Sequence, residues 1–208
     1  MRSLTLPVDV TNYVMLDLGQ PMHAYDLDKI EGPIVVRRAR AGETLTTLDG
    51  KDHDLDPEDL LITDSPNGEQ GSRILGIAGV MGGEYGEVTS ETTNILLEAA
   101  HFDPISVARS SRRHKIPSEA ARRFERGVDD QIQPAAAQMA CDLLEAYGSA
   151  TASQSPRDVN NTKRRQPIVF KASEVKRIAG LDLDLNDVSA ILTDIGCTAA
   201  GGGNGEFS

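Results

Sequence analysis

The segment "NILLEAAHF", Asn94 to Phe102, is apolar except for its ends and one acid, Glu98. An ionised carboxylate inside an apolar strand must be paired or hydrogen-bonded, or its pKa rises until it is neutral. Just upstream, "GIAGVMGGEYG" packs five glycines into eleven residues. Residues without a Cβ let backbone N–H groups approach a ligand closely, although a tight turn between strands reads equally well. Of the four histidines, only His23 sits in a segment, "GQPMHAYD", whose glycine, proline and flanking apolar residues suggest an ordered loop. His53, His101 and His114 default to packed structural roles. Asn12, between Thr11 and Tyr13 in what reads as an apolar strand, would need buried partners for its amide. In "RRHKIPSEAARRFERGVD" a solvated helix is interrupted by Pro117 and followed by Gly127. Ser118 and Ala120 are therefore expected in a non-helical portion, where small side chains line a cavity. The plain alternative for Glu98 is a salt bridge to an arginine between Arg109 and Arg126.

Stock catalytic signatures are mostly missing. "GIAGVMGG" lacks the Gly-Lys-Ser/Thr ending of a phosphate-binding loop and the GxGxxG dinucleotide spacing, and the chain has no HExxH, CxxC or GxSxG. Cys141 and Cys197 stand apart from each other and from any histidine cluster, so no structural zinc is expected.

The elements that must hold these residues read as antiparallel strands followed by helices. "VDVTNYVML" is apolar and β-branched and reads as a strand. "GPIVVRRARAGETLTTLDG" reads as two short strands joined at Ala41-Gly42 and closed by Asp49-Gly50. "DLLITD" and "TNILLEAAHF" add further strands, and "RILGIAGVMGG" reads as a short buried strand running into glycine-rich backbone. The period then changes: "DPISVARSSRRHK" opens with Asp103 as N-cap and Pro104 at the first helical position, and "DQIQPAAAQMACDLLEAYG" ends at Gly148. "SATASQSPRDVNNTKRRQP" is a polar linker. The tail reads as a strand, a short helix, a second helix capped by Asn186 and ending at Gly196, then a turn. About forty residues is too little for a comfortable independent core. The chain is expected to be cut inside this second domain, and at its front as well.

The 208 residues carry a net charge of −11, which argues against gripping nucleic acid over the whole surface. Arg109 to Arg126 holds seven Lys or Arg against two acids, leaving a local basic patch on an acidic body. No run approaches the roughly 20 apolar residues of a membrane helix, and the first residues do not form a signal peptide. A reducing cytoplasm is the expected compartment.

Taken together, "VDVTNYVMLDLGQPMHAYD", "GIAGVMGG", "NILLEAAHFDP" and "SEAARRFERGVD", in this order and spacing, closely resemble the B3/B4 editing domain of the bacterial phenylalanyl-tRNA synthetase beta chain. The tail resembles the start of its next module, the small winged-helix-like B5 domain. The resemblance implies an α+β fold of mostly antiparallel sheets packed with helices, with the editing domain over 1–152, a linker over 153–166 and a partial B5 domain over 167–208. It implies hydrolysis of the ester in tyrosyl-tRNA(Phe) made in error. Glu98 matches the glutamate that recognises the tyrosine para-hydroxyl, His23 the histidine beside the scissile ester, and Asn12 the asparagine that orients the substrate's polar end. Ala78, Gly79 and Gly82 match a glycine-rich wall, Ser118 stands where relatives often have threonine, and Ala120 matches the small residue that keeps the pocket open. No metal is implied in this segment. ATP and Mg2+ belong to the intact enzyme, an alpha-beta heterotetramer that binds the 3′ end of tRNA(Phe).

Two other functions stay open at this point. One is a structural and RNA-binding scaffold that sets Arg109 to Arg126 against tRNA phosphates; the other is a free-standing deacylase or ligand-binding module on the same fold.

Overall fold

A computed structural model describes residues 3–153, 156–162, 166–171, 173–199, 201–202 and 206–207. They fall into two compact units, 1–157 and 158–208.

The first element of the larger unit is a helix, α1 (Leu6–Leu18), not the strand that its β-branched sequence suggests. Val-Asp-Val-Thr does alternate over four residues, but Val10, Val14 and Leu18 recur at helical spacing. They pack with Ala136, Ala140 and Leu144, which recur at the same spacing on α4 (Gln133–Gly148). Tertiary burial of this stripe, about 1.5–3 kcal/mol for each fully buried Val or Leu, outweighs the strand propensity of the valines. Local signals agree: Pro7 lies in the first turn, Asp9 accepts a hydrogen bond from the Leu4 amide at 3.1 Å, and Gly19 closes the helix at φ +72°.

Strand β1 (Met22–Asp26) follows, so the expected loop around His23 is strand from Met22 onward. Then come β2 (Val35–Arg38), β3 (Thr44–Thr46), β4 (Asp52–Asp54), β5 (Leu60–Asp64), β6 (Arg73–Ile77), β7 (Met81–Gly82) and β8 (Ile95–Ala99). The order β2-β5-β6-β7 forms one antiparallel sheet, with a bulge between Ile62 and Thr63. The strands on either side of Ala41-Gly42 each pair elsewhere, β2 with β5 and β3 with β4. The Asp49-Gly50 turn closes the second pair, with Gly50 at φ +73°.

Helices α2 (Pro104–His114), α3 (Glu119–Phe124) and α4 complete the unit. Asp103 caps α2 by accepting from the Ser106 amide at 2.8 Å. Ala120 is inside α3 rather than in irregular chain, because Ser118 caps that helix through the Ala121 amide and restarts it after Pro117. Val107 of α2 and Ala121 and Phe124 of α3 join Leu61, Leu75 and Ile77 of the sheet in the main core.

The remaining pair, β1 with β8, is an antiparallel ribbon between the two cores. Alternation along it decides the site. Tyr25 and Leu96 belong to the main core on one face, and Met22 and Leu97 pack with α1 and α4 on the other.

The smaller unit contains β9 (Phe170–Lys171), α5 (Ser173–Ala179), α6 (Leu185–Asp194), β10 (Gly201–Gly202) and β11 (Glu206–Phe207). Its sheet order is β10-β11-β9, antiparallel throughout. Asp184 rather than Asn186 caps α6: its carboxylate reaches the Asp187 amide, placing Asn186 within the first turn.

Candidate functional site

The ribbon register places His23 directly opposite Glu98 and Tyr25 opposite Leu96. Residues two apart on a strand share a face, so His23, Tyr25 and Glu98 project from the same side. The position of β1 is set at its entry by Gln20, which is fully buried. Its Nε2 donates to the carbonyls of Pro21 and Ala100, at 2.7 and 3.0 Å, and its Oε1 accepts from Gln133 Nε2 at 3.0 Å. One amide thus ties the end of α1, the exit of β8 and the start of α4.

The Tyr25 hydroxyl donates to Glu98 Oε2 at 2.7 Å, and the Tyr25 and His23 rings meet edge to face with centroids 4.4 Å apart. Glu98 therefore pairs with a phenol and with none of the arginines from Arg109 to Arg126. Five of the seven cations there bond acids instead: Arg109 with Glu58, Arg112 with Glu125, Arg113 with Asp59, and Arg122 and Arg123 with Glu119.

Burial pushes the Glu98 carboxyl up, against the opposing pull of the Tyr25 hydrogen bond. Burial first, then the Glu98 charge and hydrogen bond, raises Tyr25 well above the usual phenol value, so Tyr25 stays a neutral donor. Burial lowers His23 to about 4, leaving a neutral imidazole at pH 7.

Three polar positions remain open. Glu98 Oε1 and both ring nitrogens of His23 have no hydrogen-bond partner among the described residues. The fully buried side-chain polar atoms without a partner there are Thr5 Oγ1 and His53 Nε2. The free atoms of His23 and Glu98 consequently keep contact with solvent, in agreement with the partial exposure of both residues.

Gly82 completes the wall. A Cβ at this position would lie 2.6 Å from His23 Cε1 and 2.7 Å from Nε2, so the bare backbone is what admits the imidazole. Gly79 plays a different part: with φ +70°, its missing Cβ would press on Phe102, Val107 and Phe124 at 3.0 Å, and it seats the turn after β6 against α2 and α3. Ala78 is buried in the main core beside it. The Ser118 hydroxyl donates to the Val80 carbonyl at 2.7 Å, and Ala120 packs against the same core, so the start of α3 is fastened to this turn.

The residues expected at the site thus form two groups: His23, Glu98 and Gly82 at the ribbon, and Ala78, Gly79, Ser118 and Ala120 around the turn at 78–80. Asn12 joins neither. It is half-buried on α1, two residues from both Val10 and Val14, and so points away from the stripe packed on α4; α1 itself meets the ribbon face opposite His23. Tyr25 and Gln20 are the participants not foreseen. The i, i+2 spacing of His23 and Tyr25 marks the first once β1 is read as a strand, whereas no local pattern marks the second. A cavity of about 650 Å³ opens elsewhere, lined by Glu43, Thr46, Arg73 and Tyr85 among others, and touches none of these residues.

The chain is similar to the phenylalanine–tRNA ligase beta subunit of Bifidobacterium longum (strain NCC 2705), 75% identical over 208 residues, which are 100% of this chain and 24% of that protein. The corresponding subunit of Thermobifida fusca (strain YX) is 50% identical over 197 residues, 95% of this chain and 23% of that protein. The chain therefore spans about a quarter of the length of these curated relatives. Among solved structures it is similar to an N-terminal fragment of the phenylalanyl-tRNA synthetase beta-subunit from Pyrococcus horikoshii, at 14% identity and a TM-score of 0.44, over 97% of this chain and 58% of that one. A family profile described as the B3/4 domain matches residues 1–149, the segment that holds His23, Gly82, Glu98 and Ser118, and the chain belongs to the B3/4 domain family.

Proposed function

We propose that the face shared by His23 and Glu98 is an editing site, at which misacylated tyrosyl-tRNA(Phe) is hydrolysed within phenylalanine–tRNA ligase. The observation that carries this reading is the set of free polar atoms, Glu98 Oε1 and the His23 nitrogens, side by side on one ribbon face and still reached by solvent. A carboxylate oxygen in that setting accepts the para-hydroxyl of tyrosine in a charge-assisted bond. Bound phenylalanine leaves it unpaired, and this asymmetry is the basis of selection: a pocket built for phenylalanine rejects an added hydroxyl weakly, whereas a site that must bond the hydroxyl rejects its absence strongly.

An aminoacyl ester is already activated, so a positioned water and donors near the developing oxyanion suffice. His23, neutral because burial holds it near 4, accepts a hydrogen bond from that water and orients it beside the Gly82 backbone. The water oxygen bonds to the ester carbonyl carbon, the bond to the ribose oxygen breaks, and that oxygen takes the proton, giving free tyrosine and tRNA(Phe). The substrate's own ribose hydroxyl or amine assists. Ala78, Gly79, Ser118 and Ala120 serve this reading as the rigid wall behind the amino acid. Asn12 lies on α1, which packs on the ribbon face opposite His23, and takes no step in this scheme. Among the described residues no group of three or more His, Cys, Asp or Glu side chains is arranged to hold a metal. ATP, Mg2+, the alpha chain of the heterotetramer and the body of the tRNA belong, on this reading, to the whole cytoplasmic ligase. Residues 167–208 would begin its winged-helix-like B5 domain, after an editing domain over 1–152 and a linker. The scaffold alternative is disfavoured by the acids that already pair most of the Arg109 to Arg126 cations.

The test is deacylation of preformed tyrosyl-tRNA(Phe) by the whole ligase containing this chain. Glu98→Ala and His23→Ala should each slow clearance by about 10- to 100-fold, the size expected for losing one charge-assisted hydrogen bond, with phenylalanine attachment intact. Unchanged clearance in both variants would return Glu98 to a buried structural acid.

A further inference from the structure

Tyr25 takes no part in the hydrolysis above, yet its hydroxyl is the one hydrogen-bond donor to Glu98 among the described residues. We propose that Tyr25 is a specificity-determining positioning residue: by occupying Oε2 of Glu98 it aims the other oxygen at the substrate and makes it the single acceptor for the para-hydroxyl. The proposal rests on the editing reading.

A free carboxylate offers two oxygens and about four lone-pair directions, and any water can take them. Such an acceptor selects weakly, because a water that stays behind with phenylalanine satisfies it as well as the phenol of tyrosine does. Tyr25 removes that freedom. The residue is 3% exposed within the main core, the His23 imidazole abuts its ring, and Gly86 lies on another side, where an added Cβ would sit 3.5 Å from Tyr25 Cδ1. The phenol is therefore a fixed donor that cannot turn to another partner. Glu98 is held by a 2.7 Å bond on the core side, and its remaining oxygen keeps the solvent contact.

A neutral donor on Oε2 also favours the ionised form of Glu98, against a burial effect that favours the protonated one. Recognition of the substrate phenol by a carboxylate then persists to lower pH than burial alone would allow. A purely structural phenol would satisfy the buried acid and leave neither selectivity nor pH profile dependent on it.

Tyr25→Phe deletes only the hydroxyl. The experiment measures single-turnover deacylation of tyrosyl-tRNA(Phe) and phenylalanyl-tRNA(Phe) across pH by the whole ligase containing this chain, for the parent, Tyr25→Phe and Glu98→Ala, with melting temperatures alongside. We expect Tyr25→Phe to slow tyrosine clearance about tenfold at pH 7, as one lost hydrogen bond to a charged group would. Its acidic limb should move to higher pH, and its slow phenylalanine hydrolysis should stay unchanged. If Tyr25→Phe keeps the parent rate and limb while Glu98→Ala loses clearance, the proposal falls and the editing reading stands. If Tyr25→Phe slows both substrates equally with a drop in melting temperature, Tyr25 is structural and the proposal falls. If Glu98→Ala clears tyrosine at the parent rate, the editing reading falls and takes this proposal with it.

Discussion

Two acids in this chain are drawn into apolar surroundings beside a histidine, and they end in opposite states. Asp59, whose side chain is fully buried, is saturated. It accepts from Ser110 Oγ at 2.6 Å, Arg113 at 2.5 Å, the Asp56 amide at 2.8 Å and His114 Nε2 at 2.6 Å. Burial pushes the Asp59 carboxyl up, but Ser110, the Asp56 amide and His114 together bring it below the ordinary carboxylate value. Glu98 has one donor among the described residues, and burial keeps its carboxyl above that value. The first acid pins α2 to the start of β5. The second is held on one side and left open on the other. An unpaired atom alone does not make that distinction: among the described residues His53 Nε2, whose ring stands 5.3 Å from His114, also lacks a partner but is closed to solvent.

The two acids should differ most in what they contribute to stability. Asp59→Ala strands Arg113 and His114 without their buried acid and should cost about 3–5 kcal/mol, the usual penalty for breaking one side of a buried pair. Glu98→Ala removes a carboxylate that is costly to bury but strands the buried Tyr25 hydroxyl, and should cost about 1–2 kcal/mol. Urea denaturation of both variants checks the order; equal losses would erase the contrast between the two acids.

A smaller effect separates the geometry of the site from its chemistry. Gly82→Ala drives a methyl against the His23 ring, at 2.6 Å from Cε1, and either the ring or β7 must shift. Displacement of a positioning group by about 1 Å can cost about a hundredfold in rate, so tyrosine clearance should fall by up to that factor while the melting temperature changes little. Clearance at the parent rate would mean that His23 can move without consequence, and its role as the group that orients water would be lost.

The pattern of what was readable follows from where each signal resides. Helices α2 and α4 were legible because their caps and period are local: Asp103-Pro104 opens one and Gly148 ends the other. Strands β5, β6 and β8 were legible as short apolar runs between turn residues. Helix α1 was not, because Val-Asp-Val-Thr alternates locally and the deciding alanines stand more than a hundred residues away on α4. At the site, Glu98 announces itself, since a lone charge in an apolar run demands an explanation. Tyr25 does not, since a tyrosine in an apolar strand reads as core until its hydroxyl is seen to reach Glu98, 73 residues on. The Asp59 network was hidden for the same reason: Asp59 sits in a polar turn of the sequence, and its partners Ser110, Arg113 and His114 lie more than fifty residues away.

On the editing proposal, Glu98 is an open acceptor for a phenol. Calorimetric titration of this chain with two non-hydrolysable adenosines, carrying tyrosine or phenylalanine through a 3′-amide, tests it without any turnover. The tyrosine compound should bind at least about tenfold more tightly, equivalent to roughly 1.4 kcal/mol, and Glu98→Ala should abolish the preference. Equal binding of the two compounds, or a preference that survives Glu98→Ala, would contradict the proposal.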